Sequence, residues 1–91
     1  MTLELPPGLV RLLAALRAAG GTPYVVGGAV RDSLLGLPIK DFDVEVFGLA
    51  AARLEPLLAA HGRVDAVGQA FRVYKLSGVD GVLGAVDVAL P

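Results

Sequence analysis

The sequence predicts a single α/β domain, spanning residues 1–91, in which helices flank a mixed sheet. Helical and strand-like hydrophobic periods alternate along the chain, and glycine or proline separates most of these segments. Hydrophobic residues make up 55% of the 91 positions, so a core can form, although a chain of this length supports only one. The order of helix, strand, helix, strand, helix and then three strands is typical of an α/β or α+β sheet domain.

The first predicted element is an amphipathic helix that begins after Pro6 and Pro7. Proline is favoured in the first turn because its fixed φ suits that position and its missing N–H costs nothing there. Gly20 and Gly21 follow the last apolar residue and are expected to end the helix. The stripe that would face the core consists of Leu9, Leu12, Leu13 and Leu16.

A strand, a glycine turn and a helix are predicted next. Thr22–Val26 is short and rich in Tyr and Val, which indicates a buried strand. Gly27 and Gly28 would form the turn, and Ala29–Leu35 has the apolar spacing of a helix. From Asp41 to Val46 acidic and apolar residues alternate, so a half-buried strand is predicted. Its two faces would carry Asp41, Asp43 and Glu45 on one side and Phe42, Val44 and Val46 on the other.

The remaining chain predicts one more helix and three strands. Ala50–His61 has helical spacing, with Gly62 as its C-cap and Pro56 inside it, so we expect a kink or a second start at that proline. His61 is expected to cap the helix end, where a cation interacts favourably with the dipole. The strands are predicted at Val64–Val67, Phe71–Leu76 and Val82–Leu90.

Composition narrows the class of function. With eight Lys and Arg against nine Asp and Glu, the chain lacks the basic excess of most phosphate-binding surfaces, so any RNA-gripping surface is expected outside these residues. The absence of cysteine excludes disulfides and zinc sites built from thiolates. Glycine and proline interrupt the longest uncharged stretch, 18–30. No membrane span is therefore predicted, and a cytoplasmic location is expected.

Two carboxylates on the predicted acidic strand are candidates for a metal site. A rise of about 3.3 Å per residue places the Cα atoms of Asp41 and Asp43 roughly 6.6 Å apart on one face. Mg²⁺ prefers oxygen ligands and is commonly held by one or two carboxylates plus substrate phosphates. Taken alone, the pattern is equally consistent with the solvated face of an edge strand, although three like charges side by side favour a bound cation.

The predicted glycine turn is a candidate phosphate site. Gly27 and Gly28 would let the backbone approach an anion, and the N–H groups at the start of the following helix suit a phosphate. Arg31 lies one turn into that helix, where its guanidinium can reach the same anion. Taken alone, the segment is more simply a turn followed by a surface arginine paired with Asp32. Together with the carboxylates about a dozen residues later, it predicts a triphosphate site beside a metal site.

Two consecutive motifs also resemble a known family. GGAVRDSLLG at residues 27–36 and DFD at residues 41–43 are similar to the signature of class II tRNA nucleotidyltransferases (CCA-adding enzymes) and bacterial poly(A) polymerases. The resemblance extends from Tyr24 to Pro91. It implies that the chain forms the N-terminal part of a nucleotidyltransferase-type head domain, which these residues do not complete.

The resemblance implies a reaction and a set of site residues. Such enzymes join a nucleotide from ATP or CTP to the 3′-hydroxyl of an RNA with the help of two divalent metals, here Mg²⁺, and release pyrophosphate. The segments that grip tRNA or another RNA 3′ end, and that choose the base, would lie outside these residues. CCA, CC, A and poly(A) addition therefore stay open, as does a non-catalytic metal–nucleotide binding module. The implied site residues are Asp41 and Asp43 for metal binding and catalysis, and Gly27, Gly28 and Arg31 for the nucleotide.

Further residues have two interpretations each. Asp87, on the last predicted strand, is either a third metal-binding carboxylate or a solvated strand residue, and the same alternatives apply to Glu45. Arg72 belongs to a stretch that corresponds to a mobile region in the family, so it is a candidate for substrate contact. The aromatic residues expected in the core, rather than as platforms for stacking bases, are Phe47, Phe71 and Tyr74.

Overall fold

The computed structural model describes residues 5–26, 40–66 and 72–91. The predicted glycine turn, the helix expected after it and Arg31 lie outside these ranges. No helix within them is long and apolar enough to cross a membrane. The described elements are α1 (Pro7–Ala18), β1 (Thr22–Val26), β2 (Phe42–Phe47), α2 (Ala51–Ala59), β3 (Arg63–Ala66), β4 (Val73–Ser77) and β5 (Ala85–Ala89).

The five described strands form one sheet in the order β1-β2-β5-β4-β3. β2 and β5 run parallel, and the other neighbouring pairs are antiparallel. A parallel pair needs a crossover connection, and here α2, β3 and β4 supply it, which places β5 in the middle of the sheet. This mixed sheet with accompanying helices confirms the predicted α/β class.

Helix α1 begins and ends as the sequence predicts. Pro7 occupies its first turn. At the C-terminus the N–H of Gly20 donates to the carbonyl of Arg17 at 3.0 Å, and the N–H of Gly21 donates to the carbonyl of Leu16 at 2.9 Å. This pair of bonds is a Schellman motif. It favours glycine at position 20, where φ is +98°.

One core lies between the helices and one face of the sheet. The leucine stripe of α1 is buried as predicted, and Leu54 and Leu58 of α2 join it. Full burial of an aliphatic or aromatic side chain contributes about 1.5–3 kcal/mol, so this layer is a main source of stability. The sheet contributes alternate residues of its strands: Phe42, Val44 and Val46 from β2, Tyr74 and Leu76 from β4, and Val86 and Val88 from β5.

Helix α2 is continuous through Pro56, so the second start predicted at that residue is wrong. Leu54 and Leu58 flank the proline and are both fully buried. Their packing offsets the roughly 3 kcal/mol that an interior proline costs a helix. His61 lies at the helix end as predicted, where its main-chain N–H donates to the carbonyl of Leu58 at 2.9 Å.

Gly62 is not the C-cap that the sequence predicts. Helix α2 ends with Ala60 as its C-cap, in a right-handed conformation. A Cβ at Gly62 would instead overlap the carbonyl oxygen of Ser77 in β4. The glycine is therefore explained by the close approach of two backbones.

β1 lies at one edge of the described sheet, although the sequence predicts a buried strand. It pairs only with β2 among the described strands, and the side chains of Thr22 and Tyr24 are exposed while that of Pro23 is buried. Proline has no N–H to donate to a ladder and is therefore confined largely to edge strands. Pro23 was the feature of the sequence that indicates this position.

The last strand is shorter than predicted. It begins at Ala85 rather than Val82, because the N–H groups of Val82 and Gly84 bond outside the β4–β5 ladder. The N–H of Val82 donates to the carbonyl of Val79 at 3.0 Å, which closes a turn, and the N–H of Gly84 donates to the carbonyl of Lys40 at 2.8 Å. The β4–β5 connection is therefore a structured loop, 78–84.

Candidate functional site

The face of the sheet opposite the helices, which we call the open face, carries the predicted acidic side chains. Successive strand residues point to opposite faces. Because the apolar residues of β2 and β5 face the core, Asp43, Glu45 and Asp87 point to the open face. The predicted separation of carboxylates from apolar residues along β2 is confirmed.

Asp43 and Asp87 lie side by side on the open face. The parallel register of β2 and β5 pairs these two residues directly. Adjacent strands are about 4.8 Å apart, so both carboxylates can reach one cation. The structure thus brings Asp87 to the predicted metal site, although the sequence alone left its place open.

Asp41 lies just before β2 and is held by the first residue of β5. Its Oδ1 accepts a hydrogen bond from the N–H of Ala85 at 2.8 Å. An ionised carboxylate has about four lone-pair sites, so this bond leaves Asp41 with capacity for a further partner. We refer to Asp41, Asp43 and Asp87 together as the carboxylate cluster.

The carboxylate cluster disfavours its own full ionisation. Partial burial raises the pKa of Asp43 above its ordinary value of 3.8, and the negative charges of Asp87 and then of Asp41 raise it further. Burial and like charge both make the ionised form less stable. A divalent cation at this position would counter the effect of the two neighbouring charges.

The donor set suits a hard divalent cation whose coordination the substrate completes. Within residues 5–26, 40–66 and 72–91, no group of three acidic, histidine or cysteine side chains could hold a metal ion by itself. Mg²⁺ is usually bound through one or two carboxylates together with substrate phosphates and water. The adjacent pair of Asp43 and Asp87 meets that requirement.

Asp43 and Asp87 belong to a row of residues that lie in register across neighbouring strands, and this row contains charges of both signs. Lys75 of β4 is in register with Asp87, and Asp65 of β3 is in register with Lys75. Asp65 thus lies two strands from Asp87, roughly 10 Å by strand spacing. Glu45 belongs to the next row, where it pairs with a small residue of β5. The open face therefore offers an acidic residue, Asp65, that is separate from the carboxylate cluster.

Phe47 is not the core residue that the sequence predicts. Its side chain is 44% exposed on the open face. Its ring makes an edge contact with that of Tyr24, with the ring centroids 5.7 Å apart. Phe47 lies four residues after Asp43 in the same strand, so the alternation itself indicates that they share a face. Tyr74 is buried as predicted, and Phe71 lies outside the described residues.

Arg72 lies away from the carboxylate cluster. It precedes β4 with a φ of +54°, and its carbonyl accepts a hydrogen bond from the N–H of Leu90 at 3.0 Å. The opposite end of β4 is the end near Asp41, because Ser77 pairs with Ala85 there. The substrate contact expected for Arg72 stays a prediction.

Two features next to Asp41 were not predicted from the sequence: the N–H of Ala85, which donates to its carboxylate, and the absence of a side chain at Gly84, where a Cβ would overlap Oδ1 of Asp41. The sequence did contain a signal for them. Gly84 interrupts a run rich in β-branched and apolar residues, and an isolated glycine in a strand pattern indicates a bulge or a close approach of backbones.

One family model matches most of the chain. Residues 23–81, well over half of the chain, match the family described as the poly A polymerase head domain. The chain therefore belongs to that family. The resemblance inferred from the two sequence motifs is confirmed.

Individual relatives are CCA-adding enzymes. The chain is 58% identical over 33 residues to the CCA-adding enzyme of Latilactobacillus sakei, covering 36% of this chain and 8% of the relative. It is 53% identical over 51 residues to the multifunctional CCA protein of Aromatoleum aromaticum, covering 56% and 11%. The solved Bacillus stearothermophilus CCA-adding enzyme in complex with CTP has a TM-score of 0.69 and 26% identity, over 93% of this chain and 20% of that one. This chain spans about a tenth of the curated relatives and a fifth of the solved enzyme.

Proposed function

We propose that this chain belongs to the catalytic head of a template-independent RNA 3′-end nucleotidyltransferase. The enzyme would add C or A residues from CTP or ATP to the 3′-hydroxyl of tRNA and release pyrophosphate. The observation that carries the proposal is the register of Asp43 with Asp87 in a family whose relatives include CCA-adding enzymes. The binding of CTP by a solved relative supports CTP as a substrate.

In the proposed reaction, the 3′-oxygen of the RNA attacks the α-phosphorus of the nucleotide. One O–P bond forms, the bond to the β-phosphate oxygen breaks, and the hydroxyl proton is released. Bound Mg²⁺ would lower the pKa of the hydroxyl and neutralise the leaving pyrophosphate. Asp43 and Asp87 would hold the cation from adjacent strands together with the substrate phosphates. Asp41, the other aspartate of the DFD motif, is proposed as a further ligand, although the described carboxylates do not by themselves form a three-residue metal site.

Gly27, Gly28 and Arg31 are proposed to hold the triphosphate. They lie outside the described residues, so the argument depends on the residue before them. Val26, the last residue of β1, is in register with Asp43. The chain therefore enters the Gly27–Gly28 pair from a position directly beside the carboxylate cluster, as a shared site for metal and phosphate requires.

Poly(A) addition is the second candidate, since the matched family is named for a poly A polymerase. A metal–nucleotide binding module without turnover is the third. This chain by itself is expected to lack full activity, so the test uses a protein that carries it together with the RNA-binding and base-selecting segments expected outside these residues. Incubation of that protein with tRNA lacking its CCA end distinguishes the three candidates. Incorporation of C and then A in a short, limited addition supports the first proposal, and a long tract from ATP alone supports the second. Metal-dependent CTP binding without incorporation supports the third.

Asp43→Asn tests the site itself. We expect nucleotide addition to fall by more than about 100-fold, because even groups that only orient metal ligands change activity by 10–100-fold. Asp65→Asn is the matched control, since it removes a carboxylate from the same face and row but away from the cluster. Equal activities of the two variants, measured as incorporation of labelled CTP at saturating Mg²⁺, would contradict the proposed role of Asp43.

A further inference from the structure

The loop between β4 and β5 spans residues 78–84, and its first half is bonded to helix α1. The N–H of Gly8 donates to the carbonyl of Asp80 at 3.0 Å, and the Arg11 guanidinium forms an ion pair with the Asp80 carboxylate at 2.9 Å. The side chain of Val79 is buried in the core. This half of the loop therefore has little freedom to move without disturbing α1.

The second half of the same loop is fixed to the residues that precede β2. Two consecutive N–H groups do this: that of Gly84 donates to the carbonyl of Lys40 at 2.8 Å, and that of Ala85 donates to Oδ1 of Asp41 at 2.8 Å. The first bond fixes the main chain beside Asp41. The second fixes the orientation of the Asp41 carboxylate.

Gly84 is what allows this approach. A Cβ at Gly84 would overlap Oδ1 of Asp41 and would lie 2.8 Å from the carbonyl oxygen of Lys40. Gly78 and Gly81, in the same loop, have φ values of +74° and +82°, but the φ of Gly84 lies outside the left-handed region. Glycine is therefore required at position 84 for space next to Asp41, and not for an unusual backbone conformation.

We infer that Gly84 is a positioning residue for the Asp41 carboxylate. The bare backbone at position 84 lets the N–H of Ala85 hold one oxygen of Asp41, so the carboxylate is oriented before any cation binds. A side chain at position 84 displaces the carboxylate and breaks that bond. The inference rests on the proposed function only where it concerns the metal, because the contact with Asp41 is present in the structure.

The first test compares Mn²⁺ binding by Gly84→Ala and by Gly62→Ala, titrated by electron paramagnetic resonance. Gly62 is the matched control, because a Cβ there also meets a backbone carbonyl, that of Ser77, but does not contact Asp41. We expect Gly84→Ala to weaken Mn²⁺ binding about tenfold or more, as loss of a group that orients a ligand does. Gly62→Ala should leave the Mn²⁺ affinity within about twofold of the wild-type value, even if it lowers the melting temperature as much as Gly84→Ala does. Equal effects of the two variants on Mn²⁺ affinity would overturn the inference.

A second readout does not depend on the metal. The amide proton of Ala85 should lie downfield in the NMR spectrum of the wild-type chain, because it bonds to a carboxylate, and should move upfield in both Gly84→Ala and Asp41→Ala. If the wild-type chain binds no Mn²⁺, the proposed metal site fails while this shift still decides the positioning role. An unchanged Ala85 resonance in Gly84→Ala overturns that role.

A double-mutant comparison covers the case in which Gly84→Ala folds poorly. Asp41→Ala removes the oxygen that the new Cβ would meet, so Gly84→Ala should lower the melting temperature less in that background than in the wild type. The contact with the carbonyl of Lys40 remains in both. A penalty that is the same in both backgrounds, including failure of both to fold, would show that Gly84 does not accommodate the Asp41 carboxylate.

Discussion

The covered face of the sheet, which packs against the helices, and the open face are built from alternate residues of the same strands. Their environments are nevertheless opposite. Among the described residues, the covered face and its helices bury hydrophobic side chains and no polar or charged side chain is buried. On the open face, partial burial and then the neighbouring carboxylates raise the pKa of Asp43, and an aromatic pair is exposed. Stability and the candidate chemistry are thus assigned to different faces, so substitutions can separate them.

The largest effect on stability is expected from the covered face. Leu12 is fully buried, and Leu12→Ala should lower the free energy of unfolding by about 2–5 kcal/mol through lost transfer energy and a residual cavity. Leu83, 80% exposed, supplies the control, and Leu83→Ala should stay within about 0.5 kcal/mol. Urea unfolding followed by circular dichroism measures both. Similar losses of unfolding free energy in the two variants would show that the core does not lie between the helices and the covered face.

A smaller contribution is expected from the aromatic pair on the open face. A double-mutant cycle with Tyr24→Leu and Phe47→Leu should give a coupling of about 0.5–1.5 kcal/mol, the range for edge-to-face ring pairs. Val10 is also exposed but lies on α1. A substitution of Val10 combined with Phe47→Leu should change the free energy of unfolding additively, as substitutions at distant sites do. A coupling between Tyr24 and Phe47 no larger than this control would mean that the open face adds no stability of its own.

The smallest expected effect on stability is a pH dependence that arises from Asp43 on the open face. The pKa of Asp43 is raised on folding, so between 3.8 and the raised value the folded chain binds more protons than the unfolded chain. The free energy of unfolding therefore falls as the pH rises through that window and does not recover above it. Asp43→Asn removes this loss, so the variant should be more stable than the wild type above the window in metal-free buffer, with a smaller gain below it.

Thermal unfolding from about pH 3 to pH 7 measures this difference, with Asp65→Asn as the control. The gain from Asp43→Asn should also shrink when Mn²⁺ is added, because a cation compensates the charges of the cluster in the wild type. A pH-dependent gain of the same size in Asp65→Asn would contradict the assignment of the pH dependence to Asp43, whose pKa is raised by burial and then by its charged neighbours.

Local spacing predicted the half of the site that lies on one strand. The alternation of β2 placed Asp43 on the face opposite its apolar neighbours, since a strand has a period of two residues. Extended by one residue, the same rule assigns Phe47 to that face, but the aromatic character of Phe47 led to the prediction of a core position. Hydrophobicity is a weak guide at such positions, because much of a folded protein's surface is apolar.

The partners of those residues could not be predicted, because they depend on strand pairing between distant parts of the chain. Asp87 reaches Asp43 only because β5 is inserted beside β2 in a parallel register. Gly84 meets Asp41 across 43 positions of sequence. A residue's own spacing carries no information about which strand lies next to it or in which register.

The sequence by itself determined the α/β class, the leucine stripe and glycine C-terminus of α1, and the shared face of the acidic residues on β2, since each depends on contacts or periodicities within a few residues. Only the tertiary structure decided that Pro56 is tolerated within α2, and that Asp87 and the Gly84 backbone join the site. Those outcomes depend on which distant segments pack together, and the free energy of that packing outweighs local preference where the two disagree.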